Sequence, residues 1–257
     1  MEENDLIEID FVINLYELSV NKNIEYVKNE ILELTNYIRS FQNDCRRIIV
    51  KCIIETCYLS DEQIKELTFW CCHVGVDFVK TSTGYGTRGA SEHDIKIIKE
   101  KISREVEIKA SGGINTFEQA VIFFLLGASR IGTSSSVEII NGVESSKKKA
   151  VAKMIDHTNL NVNASEKDIE RSAKEAIKFG FKTICVRPEH LETAYNTTKN
   201  SDVRVCVAVG FDKLVEKDSG IKVNSILGSR LGFERYNQSI EEKKVVMDKL
   251  FHIVVIG

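Results

Sequence analysis

The sequence lacks a strong excess of charge and has no long apolar run. Its 35 Lys and Arg residues nearly balance 38 Asp and Glu residues, which leaves a formal net charge of -3. Binding to nucleic acid or to an anionic membrane calls for clustered basic residues, so we predict neither partner. No apolar run approaches the roughly 18 residues that span a bilayer. The start of the chain, Met1 to Asp5, is acidic where a signal peptide is basic, and we expect a cytoplasmic location.

The sequence also lacks the cysteine spacings of a metal or redox site. Its seven cysteines form no CxxC pair and no Cys/His cluster at zinc spacing. We therefore predict no metal site and no redox motif. Most of these thiols are expected to be buried small hydrophobic groups of a protein in a reducing compartment.

Short apolar segments alternate with amphipathic segments over most of the chain. With 257 residues, 43% of them hydrophobic, the chain can form one barrel-sized domain or two small ones. The alternation is typical of parallel strands joined by crossover helices. The predicted strands are Leu6 to Asn14, Ile48 to Thr56, Asp77 to Thr83, Val106 to Ser111, Ser129 to Thr133, Lys153 to Thr158, Lys182 to Val186 and Val203 to Val209.

Helices are predicted between these strands, and several begin after an N-cap residue such as Ser60, Ser91 or Asn115. Eight strands with intervening helices favour a (β/α)8 TIM barrel, and a doubly wound open sheet is the competing architecture. The predicted helices are Asn23 to Arg39, Asp61 to Val74, Glu92 to Ile102, Thr116 to Leu126, Ser165 to Phe179, His190 to Thr197 and Ser239 to Leu250.

Charged residues share one face of several predicted strands, which favours the barrel. Glu8 and Asp10 lie on one face of the first strand, and Glu107 and Lys109 lie on one face of the fourth. Burying charge is costly unless the charges are paired or functional. Charges that converge on one interior therefore predict a functional site.

The strongest local feature is a lysine, Lys80, inside an otherwise apolar strand, with a second lysine, Lys109, in the next strand. Two inward ammonium groups repel each other and are partly desolvated, and both effects are expected to lower a lysine pKa from about 10.4. A neutral amine is what addition to a carbonyl requires. The alternative is a pair of structural lysines whose ammonium groups reach solvent at a barrel rim.

Two turns rich in glycine and hydroxyl groups follow neighbouring strands. One is Ser111-Gly112-Gly113, and the other runs from Gly132 to Ser136. Such turns in barrels often bind phosphate, because glycine lets backbone N–H groups approach an anion. We therefore predict a small phosphorylated substrate. Ordinary connecting turns are the alternative for each one alone.

Six segments resemble motifs of the deoxyribose-phosphate aldolases, a family of class I Schiff-base aldolases. The resemblance covers roughly Glu8 to Val137 and Val151 to Phe211. The segments are Glu8 to Asn14, Val50 to Thr56, Phe78 to Gly84, Ile108 to Gly113, Arg130 to Ser135 and Ile155 to Thr158.

This resemblance implies a TIM barrel that cleaves 2-deoxy-D-ribose 5-phosphate reversibly, without a metal or organic cofactor, and that forms a homodimer or tetramer. It implies that Lys80 forms the imine, that Lys109 perturbs its protonation, and that Asp10 shares a proton relay with Lys109 through water. For Cys185 a packed barrel residue is as good an interpretation as a substrate contact. The implied substrate-binding residues are Asp156, Thr158, Cys185, Lys51, Thr83, Gly112, Gly113, Ser134 and Ser135.

The order of the segments differs from the family, and it predicts a circularly permuted single domain over 1–257. We assign 1–140 to the family's C-terminal part, 141–150 to a connector, 151–211 to its N-terminal part and 212–257 to a divergent tail. Asp212 to Val215 stands where the family has a Pro-Gly turn, and the only proline is Pro188. The alternatives are an inactive phosphate-binding barrel and a Schiff-base aldolase for another phosphorylated sugar.

Overall fold

In the computed structural model, which describes residues 7–42, 47–210 and 238–256, eight parallel strands close into a barrel in chain order. The barrel closes where β1 pairs with β8, with Asp10 opposite Ala208. The predicted TIM barrel is confirmed, and the open sheet is wrong. The strands are β1 Glu8–Val12, β2 Ile49–Ile53, β3 Phe78–Lys80, β4 Glu107–Ser111, β5 Arg130–Thr133, β6 Ile155–Asn159, β7 Thr183–Val186 and β8 Arg204–Val209.

Helices cover the outside of the barrel, and their starts follow from the sequence. Ser60, Ser91 and Ser165 each form a capping box with the residue three positions later. The cap predicted at Asn115 is instead Thr116, whose hydroxyl accepts from the Gln119 backbone N–H. The helices are α1 Leu15–Ser19, α2 Ile24–Arg39, α3 Asp61–Val74, α4 Glu92–Lys101, α5 Phe117–Leu126, α6 Ser136–Asn141, α7 Lys148–Ala152, α8 Glu166–Phe179, α9 Leu191–Thr198 and α10 Ile240–Ile256.

The last helix, α10, occupies the junction between β8 and β1. It packs against α2 and β8. Lys243 on this helix is fully buried, donates to the Val12 carbonyl oxygen at 2.8 Å and forms an ion pair with Glu30 of α2. The helix predicted from Ser239 to Leu250 therefore exists, runs further, and completes the wall of the barrel. The unusual turn at Asp212 to Val215 lies outside the described residues.

Other expectations are changed in detail. The segment 141–150, predicted as a connector, contains the end of α6 and the start of α7. Within the described residues, no helix is long and apolar enough to cross a membrane.

The cysteines differ in burial. Cys45 lies outside the described residues. The buried thiols are those of Cys52, Cys71, Cys185 and Cys206, whereas Cys57 and Cys72 are partly exposed.

Candidate active site

Four neighbouring strands direct the charged side chains of one cluster into the barrel. Asp10 Oδ1 accepts from Lys51 Nζ at 2.6 Å. Asp10 Oδ2 accepts from Lys80 Nζ and from Lys109 Nζ, both at 2.7 Å. Strand register explains the cluster, because Asp10 lies opposite Lys51 and Lys80 lies opposite Lys109. One carboxylate thus holds three amines from three successive strands.

A second layer of charges supports this cluster from below. Glu8 lies 2.7 Å from Lys51 Nζ, and Asp156 Oδ2 lies 2.5 Å from Lys109 Nζ. Arg130 Nη1 donates to Asp156 Oδ1 at 2.7 Å and to Glu8 Oε2 at 3.1 Å, which links the two carboxylates. Buried charge is tolerated in this interior because opposite charges alternate at hydrogen-bonding distance.

Electrostatic attraction decides the protonation of the cluster. Burial alone would raise the pKa of Asp10, but the ammonium groups of Lys109, Lys51 and Lys80 together lower this pKa well below its usual value. Burial would lower the pKa of Lys109, but the carboxylates of Asp10 and Asp156 raise this pKa above its usual value. Repulsion between the amines, which was expected to lower a lysine pKa, does not lower that of Lys109, because the two carboxylates outweigh the neighbouring amines.

Lys80 has fewer carboxylate partners than the other two amines. Lys51 and Lys109 each meet at least two carboxylates, whereas Lys80 pairs with Asp10 alone within the part of the chain that the structure describes. The charged groups of the interior are four cations and three anions. The interior groups are the cations Lys51, Lys80, Lys109 and Arg130 and the anions Glu8, Asp10 and Asp156.

A cavity of about 570 Å³ opens above this cluster at the carboxyl ends of the strands. Lys80 reaches it with 4% of its side chain exposed, whereas the side chains of Lys51 and Lys109 are fully buried. A polar cavity over one accessible amine is suited to a small carbonyl substrate. The predicted site residues that line it are Lys80, Thr83, Gly112, Gly113, Ser134 and Thr158.

The remaining predicted residues lie elsewhere. Ser135 stands at the start of α6, where its hydroxyl donates to Asn115 Oδ1 at 3.1 Å. Cys185 is fully buried opposite Cys206 in the strand register, so the structure places it in the barrel interior and not in the cavity wall. The other predicted residues that are fully buried and do not line the cavity are Asp10, Lys51, Lys109 and Asp156.

The predicted phosphate turn has the backbone that glycine permits. Gly112 and Gly113 have φ angles of 82° and 72°, in the left-handed region. A Cβ at Gly89 would lie 2.0 Å from the Gly112 carbonyl oxygen, so the loops after β3 and β4 meet backbone to backbone. Gly113, Gly132 and Ser134 line the cavity together with Gly112. The need for Gly89 was missed, because only the folded chain brings these loops together.

Sequence reasoning also missed Arg130 and Tyr85 as site residues. The inward face of its strand could have identified Arg130, as it did for Glu8. Tyr85 lines the cavity and donates a hydrogen bond to the Leu160 carbonyl oxygen. No local pattern predicts that contact, because it joins the loops after β3 and β6.

One group of side chains in the described residues has the donors for a metal ion. Ligand atoms of Asp10, Cys185 and Cys206 lie within 4.8 Å of one another. Lys51 Nζ, however, lies 2.6 Å from Asp10 Oδ1 and 3.4 Å from Cys206 Sγ. An ammonium group already contacts two of these three donors, so the donor set fits Lys51 better than a metal ion.

Comparisons with known proteins find aldolases that are similar to about half of this chain. Residues 17–142 match the model of the DeoC/LacD family aldolases. The deoxyribose-phosphate aldolase of Treponema denticola is 42% identical over 135 residues, which cover 52% of this chain and 60% of that protein. The enzyme of the same name from Caldicellulosiruptor saccharolyticus is 45% identical over 134 residues, covering 52% and 59%. A solved structure described as "QR15, an Aldolase" is 37% identical with a TM-score of 0.45, covering 51% and 56%.

The chain spans about three fifths of the length of the curated relatives it matches. The matched segment contains Lys80, Lys109 and both glycines of the predicted phosphate turn, and the structure adds Asp10 and Asp156 from outside it. Over residues 17–142, the chain is similar to the DeoC/LacD family aldolases.

Proposed function

We propose that this chain is a class I aldolase that reversibly cleaves 2-deoxy-D-ribose 5-phosphate to D-glyceraldehyde 3-phosphate and acetaldehyde. Lys80 is the Schiff-base lysine. The observation that carries the proposal is the position of Lys80, which lines the cavity while its amine bonds to Asp10 at 2.7 Å. The relatives named deoxyribose-phosphate aldolase support the choice of substrate.

The reaction begins when neutral Lys80 adds to the C1 aldehyde of the open-chain sugar. Loss of water from this adduct gives a protonated imine. Asp10 Oδ2 touches Lys80 Nζ, so this carboxylate lies on the path by which the amine loses its proton. Lys109 stays cationic beside Asp10, since two carboxylates raise its pKa. The site therefore keeps one reactive amine and one fixed positive charge.

Carbon–carbon cleavage uses the imine as an electron sink. A base removes the proton of the C3 hydroxyl, the C2–C3 bond breaks, and its electron pair forms the C1–C2 double bond of an enamine. The carboxylate of Asp10 takes this proton through a bridging water, and cationic Lys109 is its hydrogen-bonding partner in the relay. The three-carbon aldehyde phosphate leaves. The enamine then takes a proton at C2, and water hydrolyses the imine to release acetaldehyde and free Lys80.

The phosphate of the substrate is assigned to the glycine turns on the far wall of the cavity. Gly112, Gly113 and Ser134 line that wall, and glycine permits backbone N–H groups to face an anion. Thr83 and Thr158 offer hydroxyl groups for the sugar chain. Asp156 and Lys51 act beneath the cavity by holding Lys109 and Asp10 in place. The predicted homo-oligomer and the cytoplasmic location stay predictions.

The test is reductive trapping of the imine. The protein is treated with borohydride in the presence of acetaldehyde or deoxyribose 5-phosphate, and the masses of the intact protein and of its peptides are measured. We expect one adduct on the peptide that contains Lys80, and none in Lys80→Ala. Lys96→Ala is the matched control, because Lys96 is an exposed lysine of α4 with 58% of its side chain accessible. It should trap like the parent.

Cleavage of deoxyribose 5-phosphate is measured in parallel. An adduct together with cleavage supports the proposal. An adduct with acetaldehyde but no cleavage of this sugar would favour an aldolase for another phosphorylated sugar. A folded parent protein without any adduct would overturn the enzyme and favour the inactive phosphate-binding barrel.

A further inference from the structure

Glu55 is a fully buried carboxylate at the mouth of the barrel, immediately after β2 and its flanking residue. Its backbone has φ 42° and ψ 65°, in the left-handed region that a residue with a long side chain seldom adopts. Such a conformation persists only where the surroundings hold it, and such positions concentrate at functional sites. The mechanism above gives Glu55 no role.

The backbone on both sides of Glu55 is tied to the strand that carries the Schiff-base lysine. Ile54 N donates to the Lys80 carbonyl oxygen at 3.1 Å, and Thr56 N donates to the Thr81 carbonyl oxygen at 2.8 Å. The position of the Glu55 carboxylate is therefore fixed relative to Lys80.

The carboxylate of Glu55 holds one residue of the cavity wall. Thr83 N lies 3.2 Å from Oε2 and 3.3 Å from Oε1, and the Thr83 hydroxyl donates to Oε2. Thr83 lines the cavity. Tyr85 N donates to Thr83 Oγ1 at 3.1 Å, and the Tyr85 hydroxyl donates to the Leu160 carbonyl oxygen. A chain of hydrogen bonds thus runs from Glu55 across the mouth of the cavity.

The loop that carries Thr83 is packed closely against Glu55. A Cβ at Gly86 would lie 2.9 Å from Glu55 Oε1 and 2.5 Å from Cys57 Sγ, closer than real side chains come. Cys57 Sγ also donates to Glu55 Oε1 at 3.7 Å. The contact between Glu55 and Thr83 is therefore held in place before any substrate arrives.

A hydroxyl group has one proton, and an ionised carboxylate only accepts hydrogen bonds. The proton of Thr83 is committed to Glu55, so any other group that meets the Thr83 oxygen must be a donor. We propose that Glu55 is a positioning residue, which fixes Thr83 as a hydrogen-bond acceptor for a hydroxyl of the sugar substrate. The proposal rests on the aldolase function proposed above.

Glu55→Gln tests this, because glutamine keeps the size of the side chain but replaces one acceptor oxygen with a donor group. If the new NH2 group faces Thr83 N, two hydrogen-bond donors oppose each other. If it faces Thr83 Oγ1, it donates to that oxygen, and the hydroxyl proton must point elsewhere. We expect KM for deoxyribose 5-phosphate to rise about tenfold, with kcat changed less than about threefold. Trapping of acetaldehyde on Lys80 should be unchanged, because acetaldehyde has no hydroxyl group.

Three further variants separate positioning from structural damage. Thr83→Val should raise KM as Glu55→Gln does, and Thr83→Ser, which keeps the hydroxyl group, should raise KM less than Thr83→Val. The double variant Glu55→Gln/Thr83→Val should be no worse than Thr83→Val alone, since both remove one interaction. Asp77→Asn is the matched control: this partly exposed carboxylate accepts from Val50 N at 2.8 Å at the opposite end of the barrel, and its loss should leave KM unchanged.

An unchanged KM in Glu55→Gln would overturn the proposal, and so would losses that multiply in the double variant. Equal loss of acetaldehyde trapping would also overturn it, because that result marks a collapsed site. If Glu55→Gln does not fold, Glu55→Asp, which draws the carboxylate back from Thr83, must show the same rise in KM. A parent protein that traps no acetaldehyde would instead refute the aldolase function itself.

Discussion

Replacing Asp10 with asparagine removes the charge that holds three amines together, and it preserves the shape of the side chain. Asp10 accepts from Lys51 at 2.6 Å and from Lys80 and Lys109 at 2.7 Å. Removing one partner of a buried ion pair costs about 3–5 kcal/mol, because the other charge stays buried. Lys51 and Lys109 each keep another carboxylate, so only Lys80 loses its one carboxylate partner among the described residues. We therefore expect the free energy of unfolding to fall by about 4 kcal/mol, the loss for one broken ion pair and not for three.

The pH dependence of this loss has a definite sign. Although burial opposes it, attraction to Lys109, Lys51 and Lys80 lowers the pKa of Asp10 well below its usual value. A group whose pKa is lower in the native state contributes stability above its unfolded pKa, about 3.9 for aspartate, and loses it as the pH falls through the native pKa. The difference between parent and Asp10→Asn should therefore be full at about pH 7 and about pH 5, and shrink below about pH 4.

Urea unfolding followed by circular dichroism at these pH values measures the effect. Asp202→Asn is the control, because Asp202 is exposed and its replacement should change stability by less than about 0.5 kcal/mol. Cleavage of deoxyribose 5-phosphate by Asp10→Asn should also fall about 100-fold to 10,000-fold. A loss of stability below about 1 kcal/mol at neutral pH would refute the claim that one carboxylate holds this cluster together.

Three further predictions concern single side chains. Lys80→Met should abolish imine trapping yet change the unfolding free energy by only about 1 kcal/mol, because three cations then face three carboxylates in the interior. Lys109→Met should instead lower the unfolding free energy by about 3–5 kcal/mol. Urea unfolding midpoints compare the two variants, and equal losses of stability would contradict the charge balance. Gly112→Ala should lower the free energy of unfolding by about 1–3 kcal/mol, because φ is 82° and its Cβ would lie 2.9 Å from Gly89 Cα. The same change should raise KM in steady-state kinetics, and an unchanged KM would contradict the phosphate assignment. Burial lowers the pKa of His157 below 6.5, although nearby carboxylates oppose this shift. Its contribution to the free energy of unfolding is therefore present above about pH 6.5 and is lost as the pH falls through the native pKa. In His157→Gln the midpoint of thermal unfolding should fall less between neutral and acidic pH than it does in the parent. Parallel plots of the midpoint against pH for the two proteins would contradict this prediction.

The type of the eight strands and of the seven longer helices followed from the sequence, but the short helices α1, α6 and α7 and several ends did not. Periodicity alone predicted a strand from Asp77 to Thr83, whereas β3 ends at Lys80. Thr83 leaves the strand because the Glu55 carboxylate takes its backbone N–H. Here the Glu55 side chain replaces a backbone acceptor of a neighbouring strand. The pattern of residues 77–83 alone does not reveal this interaction, so the end of the strand could not be predicted from it. Lys80 consequently stands at the end of its strand, where it reaches the cavity.

The protonation of the lysines could not be predicted from neighbouring residues for a related reason. The local pattern shows Lys80 and Lys109 on adjacent strands, and repulsion follows from that view. The carboxylates that reverse the result for Lys109 come from β1 and β6, and only the closed barrel brings Asp10 and Asp156 to it. Attraction at 2.5–2.7 Å outweighs repulsion between like charges that share the same anion.

The order of segments along the chain is a separate matter from the site, because the site is built from strand neighbours. Asp10 meets Lys51 across the β1–β2 pair, and the closed barrel keeps this pair wherever the chain starts. What a different start changes is the element that links the last strand to the first. Here α10 lies against β8 and α2, and Lys243 donates to the Val12 carbonyl oxygen at the end of the strand that carries Asp10. The helix that closes the barrel thus also anchors the strand on which the proposed chemistry depends, so the predicted permutation is compatible with an intact site.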